Sequence, residues 1–338
     1  MSKAAELAAL IGSQTALSNR NLIINGATQV AQRGTSATAA GASGVYRIDR
    51  FEGFAGGGGA YTMEQSTTVP NSTFKNSAKL VVTTADSSIA ASDYYAFNYN
   101  IEGQDIVPTA YGTSNAKSLS LSFHVRSSVT GTYSVTCYNH DGTRGYINTF
   151  SISSADTWTE VNLTWPGDTG GTWNKDNTKG MVIRFDLGGG SSGHGTANQW
   201  TTSGTFAANR TSGSVDWIAN NGATFYITGV QLELGEQATP FEHRSYGDEM
   251  RRCQRFYERS YRNNVYFMNN SSGAQIQRQA HYFQVQKRAA PTVTQTKTTG
   301  SGGSTVSNVG TAIDGVTFGF TGSDNDSCFF SWTADAEL

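Results

Sequence analysis

The sequence predicts an all-β protein: an antiparallel jelly-roll sandwich, then a second, smaller β-sandwich domain, with a short helix at the N-terminus. Three observations carry that prediction. Charged residues make up only 15% of the 338 residues, well under the ~25% of an average soluble domain. Glycine is abundant at 38, and 15 Tyr, 17 Phe and 6 Trp accompany many Ser, Thr and Asn. Small polar residues and glycine make turns, while Thr and aromatics suit a half-buried pleated surface. Third, apolar residues recur with a period of two in run after run, the mark of strands with one face in a core.

Residues 1–17 hold the one clear helical signal. Ala4, Leu7, Ala8 and Ile11 recur at helical spacing, Ser2 is placed to cap, and Gly12 to stop the helix. A helix of about ten residues is marginal alone in water. The expectation is that residues 1–18 oligomerise the chain or anchor it to a larger particle, with Leu7, Leu10 and Ile11 as the anchoring side chains.

Strand signals follow over 19–246. In one run Leu119, Leu121, Phe123 and Val125 alternate with Ser120, Ser122 and His124. In another Met181, Ile183, Phe185 and Leu187 alternate with Val182, Arg184 and Asp186. Tyr95, Phe97, Tyr99 and Ile101 share a face, as do Val230, Leu232 and Leu234. Turn signals separate the runs, among them Gly56–Gly59, Asp141-Gly142 and Gly188–Gly190. No stretch between them suits a crossover helix, so the sheets should be antiparallel, and a jelly roll fits. The character changes near 246. Residues 247–338 open on a charged helical turn, Gly247–Cys253, and continue with five or six strands. Their expected core is Phe256, Val265, Phe267, Phe283, Val285, Phe318, Phe320 and Trp332.

Charge and motifs narrow the function. A net charge of −2 offers no basic face, which argues against nucleic acid as a partner. No apolar run of about 18 residues suggests membrane insertion. Cys137, Cys253 and Cys328 are too widely spaced for a metal site and read as buried thiols of a protein made in a reducing cytoplasm. The glycine cluster 188–195 follows a strand, but no helix opens after it, so it reads as a loop and not a phosphate cradle. Asp324-Asn325-Asp326 lacks the glycine and distal Glu of a calcium loop and reads as a turn. No cofactor or metal is implied.

Acidic residues are scattered, with no pair announcing itself for glycoside cleavage, and the chain is expected to bind, not catalyse. Sugars present flat apolar faces ringed by hydroxyls, so a site for them needs aromatic platforms beside amides and carboxylates. Trp165, Trp173 and Trp200 sit in turn-rich segments near Asn174 and Asp176; these five form the candidate carbohydrate site. Trp158, Trp217 and Trp332 fall in or beside strands and read as core.

Several segments together resemble one family. They are residues 19–36 (NRNLIINGATQVAQRGTS), 49–51 (DRF), 121–135, 171–174 (GTWN), 227–258, 288–294 (RAAPTVT) and the terminal TADAEL. In them the chain is similar to tail or virion-appendage proteins of marine, short-tailed phages, departing at Thr28, where that family often carries Met. The resemblance implies a carbohydrate-binding-like jelly roll on a phage particle. It implies a tail fibre or appendage that touches the host surface. The short helix with no obvious burial site and the polar β domains suit chains gathered about a symmetry axis, so a homo-oligomer, and in particular a homotrimer, assembled in the host cytoplasm is expected. Its partners would be other virion proteins and a host-surface glycan. The alternatives are a head decoration or connector that binds other virion proteins, or an enzyme that degrades polysaccharide.

Overall fold

A computed structural model describes residues 19–41, 44–202, 209–260, 265–268, 275–300, 305–322 and 326–338. Leu7, Leu10 and Ile11, expected from the sequence to anchor the chain, lie outside the described residues, as does most of the turn 324–326. The chain divides into two compact units, one ending at Ser245 and one beginning at Tyr246.

Thirteen strands are described in the first unit. They are β1 (Thr38–Ala39), β2 (Val45–Tyr46), β3 (Phe51–Gly56), β4 (Ala60–Ser66), β5 (Ser77–Thr84) and β6 (Tyr94–Glu102). Then come β7 (Leu119–Ser127), β8 (Gly131–Asn139), β9 (Arg144–Ile152), β10 (Thr159–Trp165), β11 (Lys179–Gly189), β12 (Trp200–Thr202) and β13 (Thr224–Leu234). One sheet has the order β1-β4-β5-β13-β7-β10 and the other β12-β9-β8-β11-β6-β3-β2, with antiparallel neighbours throughout. The chain passes back and forth between the sheets, as a jelly roll does.

The alternation seen in the sequence sets which side chains fill the space between the sheets. Leu119, Leu121, Phe123 and Val125 from β7 are buried, as are Met181, Ile183, Phe185 and Leu187 from β11 and Tyr95, Phe97, Tyr99 and Ile101 from β6. Leu234 departs from the pattern at 39% exposure, because β13 ends there and Gly235 turns the chain away.

Two segments far apart in sequence close this unit. The Asn21 carboxamide oxygen accepts the amides of Ile23 (2.9 Å) and Leu232 (3.0 Å). Glu242 accepts the amides of Asn19 (2.6 Å) and Asn21 (2.9 Å) and pairs with Arg244 at 3.1 Å. A Cβ at Gly26 would fall 2.0 Å from the Val230 carbonyl oxygen, so only glycine lets the strand approach. Phe241 packs on Phe74, ring centres 5.3 Å apart, and so holds the chain to the sandwich after Pro240.

The second unit opens with helix α1 (Tyr246–Gln254), longer than the single turn expected, with Asp248 inside its first turn. Strands β14 (Tyr257–Arg259), β15 (Val265–Met268), β16 (Gln275–Tyr282) and β17 (Thr292–Gly300) follow. The last are β18 (Thr305–Thr311), β19 (Gly315–Gly322) and β20 (Ser327–Asp335). β20 pairs with β14, β15 and β17, while β16, β19 and β18 form a separate three-stranded sheet. Phe267, Phe318, Phe320, Phe330 and Trp332 are its main core residues; Val285 is only half-buried. Lys287 is buried in this unit and donates to Glu258 Oε2 at 2.6 Å beneath the Phe283 ring. Burial pushes its ammonium pKa below the usual lysine value, and the Glu258 hydrogen bond opposes that shift.

Candidate functional site: a polar cleft on the seven-stranded sheet

β11 runs through the middle of the seven-stranded sheet, between β8 and β6. Its inward side chains being apolar, the period of two forces Val182, Arg184 and Asp186 onto the outer face. Register then assembles a polar floor. Arg184 lies opposite Asn98 of β6 and Thr136 of β8, Val182 opposite Asn100 and Tyr138, and Asp186 opposite Ala96. One strand further, Glu52 of β3 lies opposite Asn98.

Over this floor lies a cleft of about 520 Å³, lined among others by Tyr94, Asn98, Tyr138, Arg184, Asp186 and Arg210. Three of its charges are dehydrated: Arg184 is 6% exposed, Asp186 5% and Arg210 3%. The Arg184 guanidinium stands 5.3 Å from the centre of the Tyr138 ring, and its Nε donates to Asn98 Oδ1 at 3.1 Å. Tyrosine face and amide thus fix the plane of the guanidinium. Asn100 is fixed in turn, its amide donating to Glu52 Oε2 at 2.9 Å.

Asp186 is held differently. Its Oδ2 lies 3.3 Å from Arg210 Nε, and Arg210 also reaches Asp216 Oδ1 (2.6 Å), the Ser214 carbonyl (2.7 Å) and the Gly189 carbonyl. Arg210 therefore ties the segment 209–216 to the end of β11. Burial pushes the Asp186 carboxyl up to about 7, against the opposing pull of Arg210.

At the other end of the cleft Phe54 and Tyr94 form a half-buried aromatic pair, ring centres 6.3 Å apart. Gly56 faces Tyr94 across the β3–β6 ladder. A Cβ there would fall 2.4 Å from the Tyr94 ring, so glycine is what lets the ring lie over the strand. The glycine cluster that reads as a loop in the sequence forms one wall. Gly188 and Gly189 end β11, Ser191–Gly193 make a short 3-10 turn, and a Cβ at Gly190 would fall 1.9 Å from the Ala90 carbonyl oxygen.

The five residues proposed from sequence are placed elsewhere. Trp165 is 0% exposed: it ends β10 opposite Leu119 and points into the core. Trp173 is 5% exposed, donates to Asp168 Oδ2 at 3.0 Å and packs on Tyr111 and Trp200. Neither offers a ring face to a ligand, so both leave the candidate site. Trp200 is half-buried, donates to the Pro166 carbonyl at 3.1 Å, and lies between Tyr146 and the Arg144 guanidinium.

Asn174 and Asp176 shape their own turn. Asn174 donates to Thr178 Oγ1 (2.9 Å), while Asp176 accepts the Thr178 hydroxyl and amide (the latter at 2.9 Å), which holds its carboxyl below the usual range. The structure thus brings Trp173 and Trp200 together, but as packing. Trp158, read as core, is half-exposed and packs on Tyr226, ring centres 6.1 Å apart. Among the described residues no cluster of three or more His, Cys, Asp or Glu side chains could hold a metal ion, and no helix is long and apolar enough to cross a membrane.

No protein-family model matches the sequence, and no curated protein matches it. Solved structures with a similar chain path include the enzymatically active domain of tailspike protein 4 from bacteriophage CBA120. It shares 15% identity over 64% of this chain, with a TM-score of 0.33; the match spans 21% of the tailspike domain's own length. A family 4 carbohydrate-binding module shares 15% identity, covering 62% of this chain and 98% of the module, with a TM-score of 0.32. A protein described as sugar-binding from Bacteroides thetaiotaomicron shares 14% identity, covering 64% of this chain and all of that one (100%), with a TM-score of 0.33.

Proposed function

We propose that this chain is a phage-particle appendage, a tail fibre or its tip, that grips a host-surface glycan in the cleft over β11. One observation carries the binding part: a fixed guanidinium, the Asn98 carboxamide and a tyrosine form the cleft floor, with the aromatic pair Phe54 and Tyr94 also lining it. A sugar ring has an apolar face that stacks on an aromatic and an equator of hydroxyls that bridge amides and guanidinium groups. The cleft supplies both within about 520 Å³, room for a short stretch of a glycan chain. Binding, not cleavage, is the reading favoured, because Asp186 is committed to Arg210 and glycoside hydrolysis needs two carboxylates facing one bond.

The particle assignment draws on the resemblance of residues 19–36 and 227–258 to virion-appendage proteins. In this reading the chain is a homotrimer attached through residues 1–17. Deleting residues 2–17 should leave a folded protein that no longer joins virions, and normal incorporation of the truncated chain would overturn the anchor. Copy number separates an appendage, present in multiples of three around a tail, from a head decoration that covers the shell. The binding claim is tested with Tyr94→Ala: affinity for host polysaccharide should fall about tenfold through lost stacking, with the thermal midpoint little changed. Undiminished binding by that variant would move the site away from this cleft.

A further inference from the structure

The cleft is longer than one sugar ring, and its two ends carry different chemistry. At one end Tyr94 stands opposite Gly189 at the finish of β11, beside Phe54. At the other, Asn139 of β8 stands opposite Met181, and the chain then turns through His140, Asp141 and Gly142, all of which line the cleft. Met181 also faces Ile101, seven residues beyond Tyr94 on β6, so the two ends lie roughly 20 Å apart. A volume of about 520 Å³ drawn out over that distance is a trough along β11 and not a round pocket. Asn98 and Asp186 line it between the ends, on facing strands.

The far end is fixed by its own turn. Gly142 takes φ +71° and donates its amide to the Asn139 carbonyl at 3.1 Å. Asp141 accepts the amide (3.1 Å) and hydroxyl (2.7 Å) of Thr143. These bonds set the position of His140, whose side chain is 27% exposed, with Nε2 3.8 Å from Asp141 Oδ2. An imidazole can give or take a hydrogen bond, and either suits a sugar hydroxyl. One ring cannot stack on Phe54 and Tyr94 and also reach His140. A run of linked rings reaches both, and each added contact then forms within a complex already made.

Resting on the glycan reading above, we propose that the cleft takes an extended run of several linked sugar units lying along β11, and not a single terminal sugar. One unit stacks on Phe54 and Tyr94, and a unit further along the chain hydrogen-bonds His140 at the β8–β9 turn.

The test is calorimetric titration of the full chain with host-surface polysaccharide, cut by partial acid hydrolysis and sized into disaccharide and successively longer fragments. Affinity should rise about tenfold or more from the disaccharide to fragments that fill the trough, and then level off. His140→Ala should weaken the long fragments several-fold and leave the disaccharide, seated on Phe54 and Tyr94, unchanged. The length series uses the unaltered protein and holds even if His140→Ala folds poorly. Equal affinity at every length, or a rise that never levels off, overturns the extended mode while the glycan reading stands. So does a His140→Ala effect that is the same, or absent, for short and long fragments. If no fragment binds, both fail.

Discussion

Charge on the outer faces of the two sheets in the first unit is held in two ways, in wet pairs and in buried ones. On the six-stranded sheet Lys79 pairs with Glu64 at 2.7 Å with both side chains 28% exposed, and Arg126 pairs with Asp156 at 3.1 Å with the acid 53% exposed. On the seven-stranded sheet Asp186 and Arg210 meet at 3.3 Å with side chains 6% and 4% exposed. Both faces arise from the same alternation of side chains, and both carry Arg, Lys, Asp and Glu. The difference is water: pairs in solvent gain little and fix little, whereas buried charges must be held by partners on several strands. A floor held in that way is pre-organised, as the proposed glycan site requires.

Three substitutions probe this contrast. Arg210→Ala should have the largest effect. It leaves Asp186 buried without its cation, at a cost of about 3–5 kcal/mol of folding free energy at pH 8, read by urea denaturation. At pH 5 the cost should shrink, because Asp186 is by then mostly neutral. An equal loss at both values would mean that Arg210 matters for its main-chain hydrogen bonds and not for its charge.

Asp186→Asn tests the same pair through pH. The folded carboxyl titrates near 7 and the unfolded one near 3.8, so between these values the folded chain binds more protons than the unfolded one. Stability contributed by the neutral carboxyl is therefore fully present below about 4 and is lost as pH rises through 7. The unaltered protein should lose up to about 4 kcal/mol relative to the Asn variant over that window. Parallel stability curves for the two proteins would show that burial does not shift this group.

Lys79→Ala should have the smallest effect, below about 1 kcal/mol, even though the Glu64 hydrogen bond raises the lysine pKa. A loss of several kcal/mol there would erase the distinction between the two faces.

Much of the fold is legible in the sequence because a period of two leaves a mark in the chain itself. Alternation alone picks out the inward sets of β6, β7 and β11, and each is buried. The site is less legible. Alternation places Arg184 and Asp186 on the outer face but cannot tell that face from an ordinary wet one, since this depends on register. Only strand pairing brings Asn98 beside Arg184, and only the return of the chain at Arg210, well beyond the end of β11, brings a cation to Asp186. Trp165 and Trp173 mislead for the converse reason. Turn-rich surroundings suggest exposure, but Trp165 is the last residue of β10 with its inward phase intact, and Trp173 folds back to donate to a buried aspartate.

The most direct test of the proposed binding face is hydrogen–deuterium exchange of the full chain with and without host-surface polysaccharide. The account predicts added protection in the peptides that carry Tyr94–Asn98, Tyr138 and Arg184, with the six-stranded sheet unchanged. Protection confined to the surface around Trp158 and Arg126, or to residues after 246, would contradict it.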